Sequence, residues 1–194
     1  MTRKKLFGLT LSELQCIISE AGLPKFAAKQ MCDWLYKKNA QSIDEMTNLS
    51  KIAREKLSTK YEVGQTSPMH FVESIDGTKK YLFKVQNGYI ETAYIPDGER
   101  ATLCVSCQVG CKMGCTFCMT GRMGFKANIT SGEILNQIAS IQEFSKLTNI
   151  VFMGMGEPMD NLNEVLKAIE ILTSDWGYAW SPRRITVSTI GVMP

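Results

Sequence analysis

Apolar residues recur at helical spacing through the first third of the chain. Thr10 and Glu13 form a capping-box pattern ahead of an apolar face, and Gly22 is a typical stop signal. Pro24 opens a second periodic run, and a third run follows Ser50. The pattern therefore predicts a small bundle of short amphipathic helices.

Near residue 65 the pattern changes from helical periodicity to alternation, which predicts strands. The runs HFVESI, KKYLFKV and YIETAYI are separated by Asp76-Gly77 and by Asn87-Gly88. Asp-Gly and Asn-Gly between such runs are the strongest short signals for a β-hairpin. We therefore expect an antiparallel β-meander after the helical bundle.

Strands and helices alternate in the remainder of the chain. Strands are predicted at ATLCVSC, NIVFMG and RRITVST, with helices at NLNEVLKAIEILT and from Ser131 onwards. Such alternation is typical of a β/α arrangement with parallel strands. The predicted fold class is α/β, with helices over residues 1–62, a connecting β-meander over 63–100 and a β/α core over 101–194.

Composition indicates a soluble cytoplasmic protein. The hydrophobic content of 44% can build a core, and no run of about 18 apolar residues could span a membrane. The N-terminus MTRKKLFGLTLSEL turns polar and acidic too early for a signal peptide. Five of the seven cysteines lie within residues 104–118, at a spacing that suits metal ligands and so requires reduced thiols. We expect no membrane partner.

Positive charge is concentrated in the first third. Residues 1–62 hold 11 Lys and Arg against 7 Asp and Glu, net +4, whereas residues 63–194 hold 11 against 12, net −1. A solvated helical surface would produce the same excess as a nucleic-acid-binding surface, so both interpretations stay open.

The strongest chemical signal is a group of three cysteines in the run GCKMGCTFCMTG. Cys111, Cys115 and Cys118 have a spacing that can wrap one loop around a single [4Fe–4S] cluster. A structural zinc ion or an electron-transfer cluster normally takes four protein ligands, so three thiolates leave one iron open to a small molecule. We expect the aromatic ring of Phe117 to give this cluster apolar cover.

Two alternatives to the cluster remain. Cys104 and Cys107 could join Cys115 and Cys118 in a four-thiolate zinc site, although the seven residues between the pairs are fewer than usual. The thiols could also be buried without any ligand role.

Ligands bind at the carboxyl ends of the strands in β/α folds, and three segments lie there. The cysteine loop follows ATLCVSC, the turn 154–158 (GMGEP) follows NIVFMG, and the loop 188–191 (STIG) follows RRITV. Gly154 and Gly156 permit close backbone approach, and Glu157 could accept hydrogen bonds from an ammonium group. The third glycine of a dinucleotide fingerprint is missing, and alone the turn would be a routine strand-to-helix connection.

Four segments together resemble the radical S-adenosylmethionine (SAM) adenine-C2 methyltransferases of bacterial 23S ribosomal RNA and transfer RNA. They are KQMCDWLYKKNAQSIDEMTNLSKIAREKL, GERATLCVSCQVGCKMGCTFCMTG, VFMGMGEPMDNL and RRITVSTIGVMP. The resemblance implies the first half of a radical-SAM (β/α) partial barrel. It also implies a [4Fe–4S] cluster and SAM as cofactors, 23S rRNA and tRNA as substrates, an external electron donor, and RNA contacts in the N-terminal helices.

The resemblance also implies roles for eight residues of this sequence. They are the cluster ligands Cys111, Cys115 and Cys118, the SAM contacts Gly156, Glu157 and Ser188, the catalytic thiol Cys104 and the proposed proton acceptor Glu91. The pattern gives Cys107 no role. Without the resemblance, Cys104 could simply pack in a strand, and Glu91 could be a solvent-facing carboxylate.

In the family, one SAM methylates a cysteine in the C-terminal part of the barrel. A radical derived from a second SAM then activates that methyl group for transfer to C2 of adenine. This sequence ends at Pro194, before such a cysteine, so we expect a fragment of a complete enzyme or a chain that a partner completes. Two alternative functions remain: an adenine-C8 rRNA methyltransferase that gives antibiotic resistance, and a non-catalytic Fe–S or RNA-binding module.

Overall fold

The computed structural model describes residues 3–192 and divides into two compact units. The first unit comprises residues 3–65 and 167–180, and the second comprises residues 66–166 and 181–192. No helix within the described range is long and apolar enough to cross a membrane. The last two residues of the motif RRITVSTIGVMP lie outside that range. The three-part division expected from the sequence stays a prediction.

Short helices build the first unit, as the periodicity predicts. Its elements before residue 65 are β1 (Lys4–Lys5), α1 (Leu11–Glu20), α2 (Ala27–Cys32), a π-helical turn (Asp33–Lys37), a 3-10 turn (Ile43–Glu45), α3 (Lys51–Ser58) and β2 (Tyr61–Glu62). Strands β1 and β2 pair in parallel. The predicted helical bundle is confirmed, with a small sheet that the sequence pattern did not indicate.

The predicted signals at both ends of α1 are present in the structure. Glu13 N–H donates to the Thr10 hydroxyl at 3.3 Å, and Thr10 N–H donates to the Glu13 carboxylate at 2.7 Å. This reciprocal pair satisfies donors that an open helix start would leave unpaired. After Ala21, Gly22 takes a left-handed conformation with φ of +65°, which ends the helix.

Aromatic rings form the centre of the first unit. The ring of buried Tyr36 lies 5.6 Å from that of Tyr178, 5.7 Å from that of Phe7 and 6.1 Å from that of Trp176, between centroids. Its hydroxyl donates to the Leu9 carbonyl at 2.5 Å, so the buried polar group is paired. Trp176 and Tyr178 belong to the later of the two stretches that form this unit, so its core depends on residues distant in sequence.

A six-stranded mixed sheet forms the second unit. Its strands are β3 (His70–Glu73), β4 (Lys79–Val85), β5 (Gly88–Asp97), β6 (Arg100–Cys104), β9 (Asn149–Phe152) and β10 (Ile185–Val187). They lie in the order β10-β9-β6-β5-β4-β3, antiparallel from β3 to β6 and parallel from β6 through β9 to β10. The predicted hairpins and parallel strands are confirmed. The meander and the β/α strands are, however, one continuous sheet.

The remaining strands and α-helices lie between and beside these strands. They are β7 (Gln108–Val109), α4 (Met119–Arg122), β8 (Ala127–Asn128), α5 (Ser131–Ala139) and α6 (Leu162–Thr173). Helix α6 begins in the second unit. Strands β7 and β8 form a separate antiparallel pair. The cysteine loop connects these two strands, so it begins and ends at the same short ladder.

One face of the large sheet is buried, and α5 contacts it. Gln137 of α5 is fully buried and accepts hydrogen bonds from the Thr92 hydroxyl at 2.6 Å and from Ser106 N–H at 2.8 Å. Its amide nitrogen donates to the Ser106 carbonyl at 2.9 Å. Side chains alternate along β5, so the neighbours Glu91 and Ala93 lie on the opposite, open face.

A buried ion pair links the sheet to the segment after α5. The Glu143 carboxylate accepts hydrogen bonds from Lys79 Nζ at 2.8 Å and from the Tyr81 hydroxyl at 2.5 Å. Burial by itself would raise the pKa of Glu143, but the hydrogen bonds from Lys79 and Tyr81 outweigh it and hold the pKa below its ordinary value. The carboxylate is therefore charged in the folded protein at neutral pH.

We predict that Glu143→Gln lowers the free energy of unfolding at pH 7 by roughly 1–3 kcal/mol, because it leaves buried hydrogen-bond partners without their charged acceptor. A depressed folded-state pKa contributes stability that is present above the unfolded value and is lost as pH falls through the folded value. The difference between wild type and variant should therefore be full above the ordinary pKa of 4.5 and shrink below it. Denaturant titrations at several pH values would measure it.

Glu99→Gln is the matched control, because Glu99 is exposed in the turn between β5 and β6. It should change the free energy of unfolding little at any pH. A Glu143→Gln deficit that stays constant from pH 7 to pH 3 would contradict the electrostatic explanation.

Candidate functional site

The three predicted cluster ligands lie on one closed loop after β7. Cys111, Cys115 and Cys118 are all half-buried. Cys118 N–H donates to the Cys115 carbonyl at 3.0 Å, and Cys111 N–H donates to the Gly124 carbonyl at 3.3 Å. The backbone therefore holds all three cysteines on one closed loop.

Gly110 permits this closure. It has a φ of +74°, and a Cβ atom on it would lie 1.8 Å from the Gly124 carbonyl oxygen. A side chain at this position would therefore push the two ends of the loop apart. The glycine that precedes the first cysteine is a requirement of the loop.

The donor set suits an iron–sulfur cluster. Among residues 3–192, no three His, Cys, Asp or Glu side chains converge as they would around a single metal ion. A [4Fe–4S] cluster has a different requirement, because each thiolate binds a separate iron. Three soft thiol ligands from one partly accessible loop, with no carboxylate or imidazole between them, fit that requirement.

Phe117 lies at the surface of the cysteine loop. Its side chain is 91% exposed, and its predicted cover of the cluster stays a prediction. Met119 and Met123 are also exposed beside it.

Cys104 and Glu91 lie on the open face of the large sheet. Cys104 ends β6 and is the register partner of Ala93 on β5 and of Val151 on β9. Directly opposed residues point to the same side of a sheet, so Cys104 shares the face of Ala93 and of Glu91 two residues away. Burial raises the pKa of the Cys104 thiol, and Lys80 Nζ lies 3.1 Å from the Glu91 carboxylate.

Cys107 has a different environment from the other cysteines near the site. It is almost fully buried, and its N–H donates to the Met155 carbonyl at 2.8 Å. Burial, followed by the negative charge of Glu157, raises the pKa of its thiol to about 12. A thiol held protonated in this way suits a packing role.

The turn 154–158 lies directly against the segment that leads into the cysteine loop. The N–H groups of Cys107 and Gln108 both donate to the Met155 carbonyl, at 2.8 and 3.1 Å. Gly156 has a φ of +103°, and a Cβ atom there would lie 2.6 Å from the Gln108 side chain. The sequence-based expectation of close backbone approach at this glycine is met.

Glu157 connects the turn after β9 with the loop after β10. Its buried carboxylate accepts hydrogen bonds from the Thr189 hydroxyl, from Ile190 N–H at 3.1 Å and from Met159 N–H at 3.1 Å. Ser188 precedes Thr189 and is exposed. The structure therefore joins the turn that holds Gly156 and Glu157 to the loop that holds Ser188, through a contact of Thr189 that spacing alone could not identify.

Three further polar residues join the same region, and sequence reasoning missed them. The Asp160 carboxylate accepts hydrogen bonds from Lys112 Nζ at 2.9 Å and from Gln108 Nε2 at 2.7 Å. These hydrogen bonds, that from Lys112 foremost, hold the pKa of Asp160 below its ordinary value. All three residues lie within segments that carry the family resemblance, but neither their type nor their spacing indicated that they would meet.

Two family models match this chain. A family model described as the ribosomal RNA large subunit methyltransferase N-terminal domain matches residues 4–63. A second, described as the radical SAM superfamily, matches residues 105–194. The matches cover the helical region and the segment that contains all three strand-end motifs.

Curated relatives match along nearly the whole chain. A probable dual-specificity RNA methyltransferase RlmN of Bacteroides thetaiotaomicron is 59% identical over 193 residues, covering 99% of this chain and 56% of the relative. A protein of the same name from Phocaeicola vulgatus is 61% identical, covering 96% and 54%. The dual-specificity RNA methyltransferase RlmN of Geotalea uraniireducens is 44% identical, covering 100% and 57%. The chain thus spans about half the length of these relatives.

A solved structure has the same fold. The crystal structure of a radical SAM methyltransferase from Sphaerobacter thermophilus matches with a TM-score of 0.87 and 40% sequence identity, covering 97% of this chain and 57% of that chain. Membership of the radical SAM superfamily implies a [4Fe–4S] cluster and SAM as cofactors. The chain belongs to the radical SAM superfamily and, within it, to the family of the dual-specificity RNA methyltransferases.

Proposed function

We propose that this chain is the cluster- and SAM-binding part of an enzyme that methylates C2 of adenine in 23S rRNA and tRNA. The observation that carries the proposal is the meeting of the cysteine loop with the turn after β9 and the loop after β10. Gln108 contacts the turn directly, and Glu157 joins it to the loop 188–191. These segments occupy the carboxyl ends of parallel strands, where β/α folds bind their ligands.

In this proposal the cofactors are divided between the segments. Cys111, Cys115 and Cys118 would hold the cluster, and the residues Gly156, Glu157 and Ser188 would contact SAM. When bound, the cluster supplies the electron that cleaves SAM reductively, which an external donor must replace. The thiols must stay reduced for this role, which favours the cytoplasm as the location of the protein.

Cys104 and Glu91 would carry the chemistry on the open face. We assign Glu91 to accept the proton that leaves C2 of adenine, with Lys80 holding its carboxylate across the β4–β5 ladder. Cys104 would lose its thiol proton and form a disulfide with the methyl-bearing cysteine while the carbon–sulfur bond to the RNA breaks. Burial raises the pKa of this thiol, which favours its protonated form before that step.

The first unit would contribute to RNA binding. Residues 1–62 carry a net charge of +4, and the family model that matches this region describes the N-terminal domain of a ribosomal RNA methyltransferase. Exposed Lys4 and Lys5 of β1 belong to this excess. Phosphate groups of RNA are the complementary charge.

Replacing any one of Cys111, Cys115 and Cys118 by Ala should abolish cluster formation, because two thiolates do not hold a [4Fe–4S] cluster on this loop. After anaerobic reconstitution with iron and sulfide, we expect about four irons per wild-type chain and almost none per variant chain. Absorption spectra and iron counting would measure this.

Cys16→Ala and Cys107→Ala are the controls for the cluster experiment. Cys16 is exposed in α1 and Cys107 is buried, so neither should change the iron content. A stoichiometric zinc ion that depends on Cys107 would overturn the cluster assignment.

The product of the reaction tests the proposed function as a whole. A chimaera that joins this chain to the C-terminal remainder of the Bacteroides thetaiotaomicron relative should convert adenine in 23S rRNA and tRNA to 2-methyladenosine. Mass spectrometry of digested RNA would identify the modified base. Appearance of 8-methyladenosine would favour the C8 enzyme, and SAM left uncleaved by a cluster-loaded chimaera would favour a non-catalytic module.

Cys104→Ala in the same chimaera should start the reaction and then trap RNA on the protein, because the thiol that releases the product is missing. A denaturing gel should show a protein–RNA adduct with the variant and none with the parent chimaera. Cys107→Ala, which removes a neighbouring buried thiol, is the control and should form no adduct. Loss of methylation by Cys104→Ala without an adduct would indicate a structural thiol instead.

A further inference from the structure

We propose that Gln108, Asp160 and Lys112 form a polar tie that positions the SAM turn relative to the cysteine loop. In this inference the tie controls the affinity for SAM and not the assembly of the cluster. The inference rests on the proposed function, because it takes the turn 154–158 as the SAM contact. None of the three residues is a cluster ligand or a proposed SAM contact, so they are positioning residues.

Gln108 is the centre of the tie. Its side chain is fully buried, and its amide oxygen accepts a hydrogen bond from Glu157 N–H at 2.9 Å. Its amide nitrogen donates to the Asp160 carboxylate at 2.7 Å and to Asn128 Oδ1 at 2.8 Å. A reversed amide would face donors with its nitrogen and acceptors with its oxygen, so these partners admit only one orientation. Gln108 therefore fixes the position of the Glu157 backbone.

Lys112 extends the tie into the cysteine loop. It follows Cys111 directly, and its Nζ lies 2.9 Å from Asp160 Oδ1 and 4.6 Å from the centroid of the Phe125 ring. The lysine side chain is 51% exposed, whereas that of Asp160 is 19% exposed. A pair with one solvated partner contributes little to folding but can still fix the distance between two loops.

The backbone hydrogen bonds that close the cysteine loop do not involve the side chains of Lys112 and Asp160. They join Cys111 N–H to the Gly124 carbonyl and Lys126 N–H to the Val109 carbonyl. Asn128 also donates to the Asp160 carbonyl at 3.3 Å, which links the residue after the turn to the far end of the loop at β8. Loss of the Lys112–Asp160 contact should therefore leave three thiols on one closed loop while the turn and the loop shift relative to each other.

A mutant cycle tests the inference with the 194-residue chain. Lys112→Gln, Asp160→Asn and the double variant would be reconstituted anaerobically, and iron content and the dissociation constant for radiolabelled SAM would be measured. Each single variant should keep its iron and bind SAM about twofold to fivefold more weakly, the range that a partly exposed ion pair allows. The double variant should bind no more weakly than Asp160→Asn alone, because the two residues act as one pair.

Lys126→Gln is the matched control. Lys126 is an exposed lysine at the end of the same loop, and the substitution should change neither iron content nor SAM affinity. The spectrum of the reduced cluster gives a second readout: addition of SAM should perturb the electron paramagnetic resonance signal of each pair variant less than that of wild type at equal SAM concentration.

The outcomes separate the inference from the proposed function. If wild type binds SAM and Lys112→Gln binds it equally well, the tie is overturned and the SAM site stands. Additive losses in the double variant, or iron loss that parallels the loss of SAM, would also overturn it. If the iron-loaded wild type fails to bind SAM, the proposed function fails and the inference falls with it. Thermal melting of Lys112→Gln, a substitution at a half-exposed side chain, confirms that the comparison concerns folded protein.

Discussion

The close approach of the turn after β9 to the chain that leaves β6 is the constraint on which the site depends. Two successive N–H groups, from Cys107 and Gln108, donate to the one carbonyl of Met155. Gly156 allows this approach because any Cβ atom there would overlap Gln108. This contact buries Glu157 beside the two backbones. Its carboxylate accepts hydrogen bonds from Thr189 and Ile190 and so holds the loop after β10 against the turn.

Pleating of the sheet places Glu91 on one face and the residues that pack against α5 on the other. Alternate residues of β5 point in opposite directions, so Thr92 meets the buried amide of Gln137 while Glu91 lies on the open face. Ser106 connects the two sides, since its hydroxyl donates to the Glu91 carbonyl at 2.6 Å and accepts from Met155 N–H at 2.9 Å. Largely buried hydrogen bonds therefore hold the backbone from which the side chains of the open face project.

Cysteines within 15 positions of one another have distinct environments for physical reasons. Cys107 lies beside a buried carboxylate, and its thiol stays protonated. Cys104 is half-buried at the end of β6, so its thiol is partly accessible. The cysteines from Cys111 to Cys118 lie on a loop that is closed by backbone hydrogen bonds, so their side chains remain available as ligands. The residue type is common to all of them, and burial assigns their possible roles.

Local patterns in the sequence determined the helix caps, both hairpin turns, the order of strands and helices and the cysteine spacing, because each depends on residues a few positions apart. The tertiary structure alone decided which distant segments meet. The meander and the β/α strands form one sheet through the β5–β6 pair, Tyr178 completes the aromatic core around Tyr36, and Asp160 reaches Lys112 across 48 positions of sequence. Phe117 is exposed for the same reason: burial requires a surface from elsewhere in the chain, and periodicity carries no information about it.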